Sequence, residues 1–142
     1  MTDTADERAE SALGAAPKIL RLCCEVAEHE SIIWVCDGAA NVGQIGHEVG
    51  ALLTNMDKVK MCCTTAVAAG SKPRLEIAGK AKRNIVIDRC GNRCAPKKLD
   101  KAGVKIGYAT VISKYLKKVP TLDLHQVDVN RIAEIVTKDA GL

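Results

Sequence analysis

The chain is nearly without aromatic side chains: its 142 residues include no phenylalanine, one tryptophan and two tyrosines. A core must therefore be built from Val, Ile, Leu and Ala, which suits the buried strands of a parallel sheet. The shortage argues against recognition of single-stranded nucleic acid, because that recognition stacks bases on aromatic rings. The net charge of +4 is also dispersed along the chain. We therefore do not expect nucleic acid as a partner.

Segments that direct a chain to a membrane or to export are also lacking. The N-terminus is polar and acidic, without the apolar stretch of a signal peptide. No apolar run approaches the roughly 18 residues of a membrane span. We expect a cytoplasmic protein with no membrane partner. In that compartment thiols stay reduced, and cysteine clusters more often bind metals or do redox chemistry.

The length predicts one domain. Residues 1–16 have no apolar stripe and are predicted to form a disordered or frayed tail, so that 17–142 form a single cysteine-rich α/β domain. Its apolar periodicity predicts strands at 31–36, 58–63, 84–88 and 104–112, helices at 42–54, 75–82 and 93–102, a loop at 64–70, and a last helix with Asp128 as N-cap. This order predicts a small three-layer α/β fold, Rossmann-like or flavodoxin-like, with a mostly parallel sheet of four to five strands.

Cysteine is what the chain has in excess, with seven residues. Three predicted strands end in cysteine, at Cys36, at Cys62 and Cys63, and at Cys90, and Cys94 follows four residues later. If the strands are parallel, these thiols gather at the carboxyl edge of the sheet, where open α/β sheets bind their ligands. A single buried cysteine often serves only for packing, but several at one edge predict chemistry.

Metal binding is the first hypothesis for these thiols. A tetrahedral zinc site takes four ligands, and Cys36, Cys90, Cys94 and one of Cys62 and Cys63 would supply them. Neighbouring strand residues point to opposite faces, so only one of that pair should reach the site. The same thiolates would also suit an iron–sulfur cluster, and their spacing does not choose between the two cofactors.

Thiol chemistry is the second hypothesis, with Cys90 and Cys94 in redox or sulfur transfer. We expect helix N-termini to stabilise thiolates at Cys36 and Cys94. The sequence has no Cys-x-x-Cys motif, and His47 is predicted to lie about three helical turns from the site. Nucleotide binding is a weaker hypothesis, because the glycines at 38–46 match neither phosphate-binding motif. If the cysteines were instead scattered over the fold, we would expect a structural interaction module.

Three motifs of the chain resemble those of the DGC domain family: Cys36-x-Gly38-Ala-Ala-Asn41-Val-Gly43, Lys60-Met61-Cys62-Cys63 and Ile87-Asp88-Arg89-Cys90-x-x-x-Cys94-Ala95. The resemblance covers roughly residues 30–112. It implies a zinc-binding protein whose proposed ligands are Cys36, one of Cys62 and Cys63, Cys90 and Cys94.

The chain departs from the Asp-Gly-Cys motif that names the family, because Arg89 stands in place of glycine. Cys23 and Cys24 match none of the motifs and are interpreted as spare ligands or buried residues. Together the residues and the resemblance favour a metal-binding or accessory protein, with an unidentified protein partner, over an enzyme.

Overall fold

The computed structural model describes residues 17–142, and the tail predicted at 1–16 lies outside them. Four strands alternate with helices along this part of the chain. The strands are β1 (Ser31–Val35), β2 (Lys60–Cys62), β3 (Arg83–Asp88) and β4 (Tyr108–Val111). The helices are α1 (Cys23–Val26), α2 (Asn41–Asn55), α3 (Thr64–Ala68), α4 (Lys72–Lys80), α5 (Cys94–Lys101) and α6 (Gln126–Ala140), with a 3₁₀ turn at Ile112–Lys114.

The strands form one parallel sheet in the order β2-β1-β3-β4. The two central strands are β-branched and buried on both faces; Ile85, Val86 and Ile87 of β3 are fully inaccessible to solvent. Such continuous apolar runs are typical of parallel strands covered on both sides. The predicted α/β class and mostly parallel sheet are confirmed, with four strands.

Helices cover the sheet on both sides. Alternate residues of β1 divide between two apolar clusters: Ile33 joins the one that contains α2 and α6, whereas Trp34 joins the one that contains α4 and α5. This division follows from the two-residue period of a strand. It gives the three layers that the sequence predicts.

Trp34 is anchored within its cluster by a buried amide. The indole Nε1 donates to Asn84 Oδ1 at 2.9 Å, and Asn84 Nδ2 donates to the carbonyls of Ala78 and Lys105 at 2.8 and 3.1 Å. A buried polar group is costly unless it is paired. This one amide therefore ties α4 and the loop before β4 to the two central strands.

Two glycines in α2 allow close packing. A Cβ on Gly50 would lie 2.8 Å from Val35 Cγ2, and one on Gly43 would lie 2.7 Å from the carbonyl oxygen of Gly38. Gly50 thus brings α2 against the sheet. Gly43 instead makes room for the turn that follows β1.

Several local predictions are wrong: the second strand is Lys60–Cys62 rather than 58–63, and the helix predicted at 75–82 is Lys72–Lys80. Residues 64–70, predicted as a loop, contain α3, whose alanines favour helix. The fourth strand is shorter than the predicted 104–112, because pairing with β3 begins at Tyr108. Asp128 is not the N-cap of α6; the helix begins earlier, with His125 in that position, and Asp128 lies in the first turn.

Across residues 17–142, no helix combines the length and the hydrophobicity needed to cross a bilayer.

Candidate functional site

The sheet brings its cysteines to one edge. Cys36 directly follows β1, Cys62 is the last residue of β2, and Cys90 lies two residues beyond the end of β3. Because β1 pairs with both β2 and β3 in parallel, the three strands end side by side. The predicted convergence of strand ends is confirmed.

A cavity of about 670 Å³ opens at this edge and is bordered by four cysteines from three segments of the chain. These are Cys36, Cys62, Cys63 and Cys94. Both members of the adjacent pair border the cavity, although strand alternation predicts one. Alternation stops there because Cys62 ends β2 and Cys63 already lies in the turn into α3. Cys62 is buried, whereas Cys63 is exposed.

Cys90 is the predicted ligand that does not border the cavity. Its side chain is buried at 9% exposure, in a turn closed by the Arg93 N–H, which donates to the Cys90 carbonyl at 3.2 Å. Arg93 has a φ of 52°, in the left-handed region that non-glycine residues rarely adopt. This turn reverses the chain after β3 and places the exposed Cys94 at the first residue of α5.

Asp88, at the end of β3, holds the start of α5. Its Oδ1 accepts a hydrogen bond from the Ala95 N–H at 3.3 Å, while Oδ2 is buried without a hydrogen-bond partner among the described residues. Burial raises the pKa of Asp88 above its usual value, against the opposing effect of the Ala95 N–H and of Arg93. A carboxylate thus lies beneath the cysteine edge.

The thiol of Cys36 does not have the environment that the sequence predicts. Burial, and then the nearby charge of Asp88, raise the pKa of Cys36 above its ordinary value. The prediction that a helix N-terminus stabilises a thiolate here is wrong, since α2 begins only at Asn41, five residues further on. A raised pKa favours the protonated thiol, and the Cys36 Sγ donates to the Asp37 carbonyl at 3.7 Å.

Arg89, where the family motif has glycine, packs over Gly38. A Cβ on Gly38 would overlap the guanidinium of Arg89. Among the described non-glycine residues only Asp57 and Arg93 have positive φ, so Arg89 does not adopt a conformation that requires glycine. The absence of a side chain at position 38 provides the room that the arginine needs.

His47 lies much closer to the cysteines than the sequence predicts. It borders the same cavity, and its Nδ1 lies 3.2 Å from Asp37 Oδ1. The prediction counted three helical turns from Cys36, but residues 37–40 form a turn, so α2 begins later and passes the cavity with its second turn. A histidine whose Nδ1 faces a carboxylate keeps Nε2 available, an arrangement common among metal-binding histidines.

Cys23 contacts the cysteine edge, which the sequence does not predict. It lies at the start of α1, and the Cys62 thiol donates to its Sγ at 3.4 Å. Arg74 Nη1, from α4, donates to the same sulfur at 3.7 Å. Burial and the Cys23 contact raise the pKa of Cys62 to about 12. Cys24, the next residue, is exposed.

The donor chemistry of this edge suits a soft or borderline metal ion, because thiolates and imidazole are the ligands that such ions prefer. Within residues 17–142, however, no three His, Cys, Asp or Glu side chains stand together in positions that would hold a metal ion. Side chains around the cavity would have to converge on binding.

These features define a class: a small α/β protein whose parallel sheet carries several cysteines to its carboxyl edge. The chain belongs to the DGC domain family, whose pattern matches residues 32–136. The match includes all the predicted ligand cysteines and begins after Cys23. No curated protein and no solved structure matches the chain.

Proposed function

We propose that this protein binds one zinc ion through thiolates at the carboxyl edge of its sheet. The observation that carries the proposal is the cavity of about 670 Å³ bordered by Cys36, Cys62, Cys63 and Cys94. The resemblance to DGC proteins implies a zinc site that includes Cys36, one of Cys62 and Cys63, and Cys94, and so supports the proposal for the cysteines that border the cavity. We further propose an accessory role in metal handling, in which a protein partner receives the ion.

Three ligands are proposed from the cavity itself: Cys36, Cys94 and one of the adjacent pair Cys62 and Cys63. For the fourth there are two candidates. Cys90 fits the family pattern, but its side chain is buried away from the cavity. His47 borders the cavity and carries the carboxylate partner that orients many zinc-bound imidazoles.

The pKa values of the cavity thiols predict how zinc affinity depends on pH. The raised pKa values of Cys36 and Cys62 mean that zinc must displace protons from both thiols where it takes them as ligands. Affinity should therefore increase with pH between 6 and 8, roughly tenfold per unit for each proton released. Lys98 borders the cavity and would offset part of the negative charge of a thiolate site.

The test is elemental analysis of protein purified anaerobically, with free thiols counted before and after chelation. We expect about one zinc per chain, with roughly four thiols unmasked by the chelator if Cys90 is the fourth ligand and roughly three if it is His47. Cys36→Ser and Cys94→Ser should abolish stoichiometric zinc, whereas Cys24→Ser, which changes an exposed cysteine away from the cavity, should retain it. Comparing Cys90→Ser with His47→Ala assigns the fourth ligand.

Two outcomes would contradict the proposal. Iron with a matching amount of sulfide would identify an iron–sulfur protein instead, because cysteine thiolates also hold iron–sulfur clusters. Metal-free protein that also fails to bind added zinc at pH 8 would favour thiol chemistry at Cys90 and Cys94 instead.

A further inference from the structure

A second thiol site lies beside the cavity, between α1 and the end of β2. Cys23 and Cys62 are 39 residues apart in the chain, yet their sulfurs are 3.4 Å apart. A disulfide needs about 2.05 Å between sulfurs, so the reduced pair must close by about 1.4 Å, which is within the range of side-chain rotation. Cys23 also precedes the segment that matches the family pattern, residues 32–136.

We infer that Cys23 and Cys62 form a reversible disulfide by exchange with a low-molecular-weight disulfide such as oxidised glutathione. The hydrogen bonds assign the order of attack. Cys23 Sγ accepts from both the Cys62 thiol and Arg74 Nη1, and Cys23 is half-exposed whereas Cys62 is buried. Cys23 is therefore the attacking sulfur that an external disulfide can reach, and Cys62 is the resolving thiol.

The reaction balances in two steps. The Cys23 thiolate attacks one sulfur of the small disulfide, forming a mixed disulfide and releasing one small thiolate. The Cys62 sulfur then attacks Cys23 Sγ, forms the internal disulfide and releases the second small thiolate. The protons of Cys23 and Cys62 end on the two released thiols. Two protein thiols are oxidised, and one small disulfide is reduced.

The disulfide would remove one of the two candidate ligands of the pair Cys62 and Cys63 from the cavity. Cys62 borders it, and a sulfur bonded to Cys23 is no longer available as a thiolate for a metal ion. This coupling rests on the proposed function, whereas formation of the disulfide does not. Oxidation would also tie α1 covalently to the sheet.

The experiment exposes the metal-free, full-length protein to a glutathione buffer and then traps free thiols. In the wild type we expect a lighter species that carries two fewer trapping groups than the fully reduced protein, with a peptide linkage that joins Cys23 to Cys62. Mixed disulfides on other cysteines add glutathione mass and are distinguished by it. Cys23→Ser should lose the lighter species, while Cys24→Ser and Cys63→Ser, which change the adjacent exposed cysteines, should keep it.

Failure of the wild type to form the linkage, or equal loss in Cys23→Ser and Cys24→Ser, would overturn the inference. A parallel sample loaded with one equivalent of zinc tests the coupling: protection of the pair by at least tenfold in rate supports it, and equal rates overturn it. Protein that binds no zinc would refute the proposed function but leave the metal-free disulfide result standing.

Discussion

Gly43→Ala tests whether the glycine in the first turn of α2 serves to hold the cysteine edge together. Alanine is ordinarily more stable than glycine inside a helix, by about 1 kcal/mol. At position 43, however, the added Cβ would lie 2.7 Å from the oxygen and 2.8 Å from the nitrogen of Gly38. Both are backbone atoms, so no rotamer change relieves the contact. The turn between β1 and α2, which carries Cys36, must move instead.

Gly79→Ala is the matched control. Gly79 lies in α4, and nothing lies within 4 Å of a Cβ added there. This variant should therefore be stabilised by about 0.5–1 kcal/mol. Both substitutions gain the same helix propensity. Only Gly43→Ala is also overpacked against backbone, which lowers stability by about 1–3 kcal/mol. We expect Gly43→Ala to be less stable than Gly79→Ala by that amount.

The measurement is urea unfolding followed by the fluorescence of Trp34, the one tryptophan of the chain and fully buried. The free energy of unfolding falls by about 1–3 kcal/mol per molar urea, so the expected difference in stability separates the unfolding midpoints of the two variants clearly. Zinc affinity should decrease in Gly43→Ala because Cys36 shifts, and should be unchanged in Gly79→Ala. Equal stabilisation of the protein by both substitutions would refute the reasoning.

Two further substitutions test the core and the cysteine edge. Asn84→Ala leaves the buried Trp34 N–H and two carbonyls unpaired and should lower the free energy of unfolding in urea by about 2–4 kcal/mol. The control is Asn130→Ala, on an exposed helix face, which should cost roughly 0.5 kcal/mol. A loss in Asn84→Ala no larger than that of the control would contradict the prediction. Burial raises the pKa of Asp88, so the native state loses stability as pH rises through that pKa. Asp88→Asn should therefore be more stable than the wild type at pH 7. The difference in the free energy of unfolding should shrink as pH falls towards about 4. A margin independent of pH would argue against this. The same substitution removes a charge that raises the pKa of Cys36, so the pH profile of Cys36 alkylation should shift to lower pH, and an unmoved profile would disprove the link.

The fold was predictable because its signals are local and repeated. The run Ile85-Val86-Ile87 has the character of a strand buried on both faces, and the spacing of the strands is that of successive βαβ units. Parallel neighbours follow from that pattern, and with them the meeting of Cys36, Cys62 and Cys90 at one edge. Short elements were less predictable: α3 has only five residues, too few for periodicity to identify it.

The parts of the site that the sequence did not predict depend on contacts between distant segments. His47 reaches the cavity because of the shape of a four-residue turn, and Cys23 meets Cys62 across 39 residues. Neither contact leaves a periodic signal in the chain. The raised pKa of Cys36 likewise comes from tertiary structure, first from burial of the thiol and then from the charge of Asp88 on a neighbouring strand.

Arg89 packs over Gly38, so the residue types that fit at these two positions depend on each other. The Arg89 side chain occupies the space that a Cβ at position 38 would need. A relative with glycine at the position of Arg89 leaves that volume empty, so that position 38 is free to carry a side chain. We therefore expect the two positions to covary across the family, with a long side chain at the second requiring glycine at the first. A side chain introduced at position 38 while Arg89 is retained would overlap the arginine, whereas Arg89→Gly alone would only leave space beside Gly38.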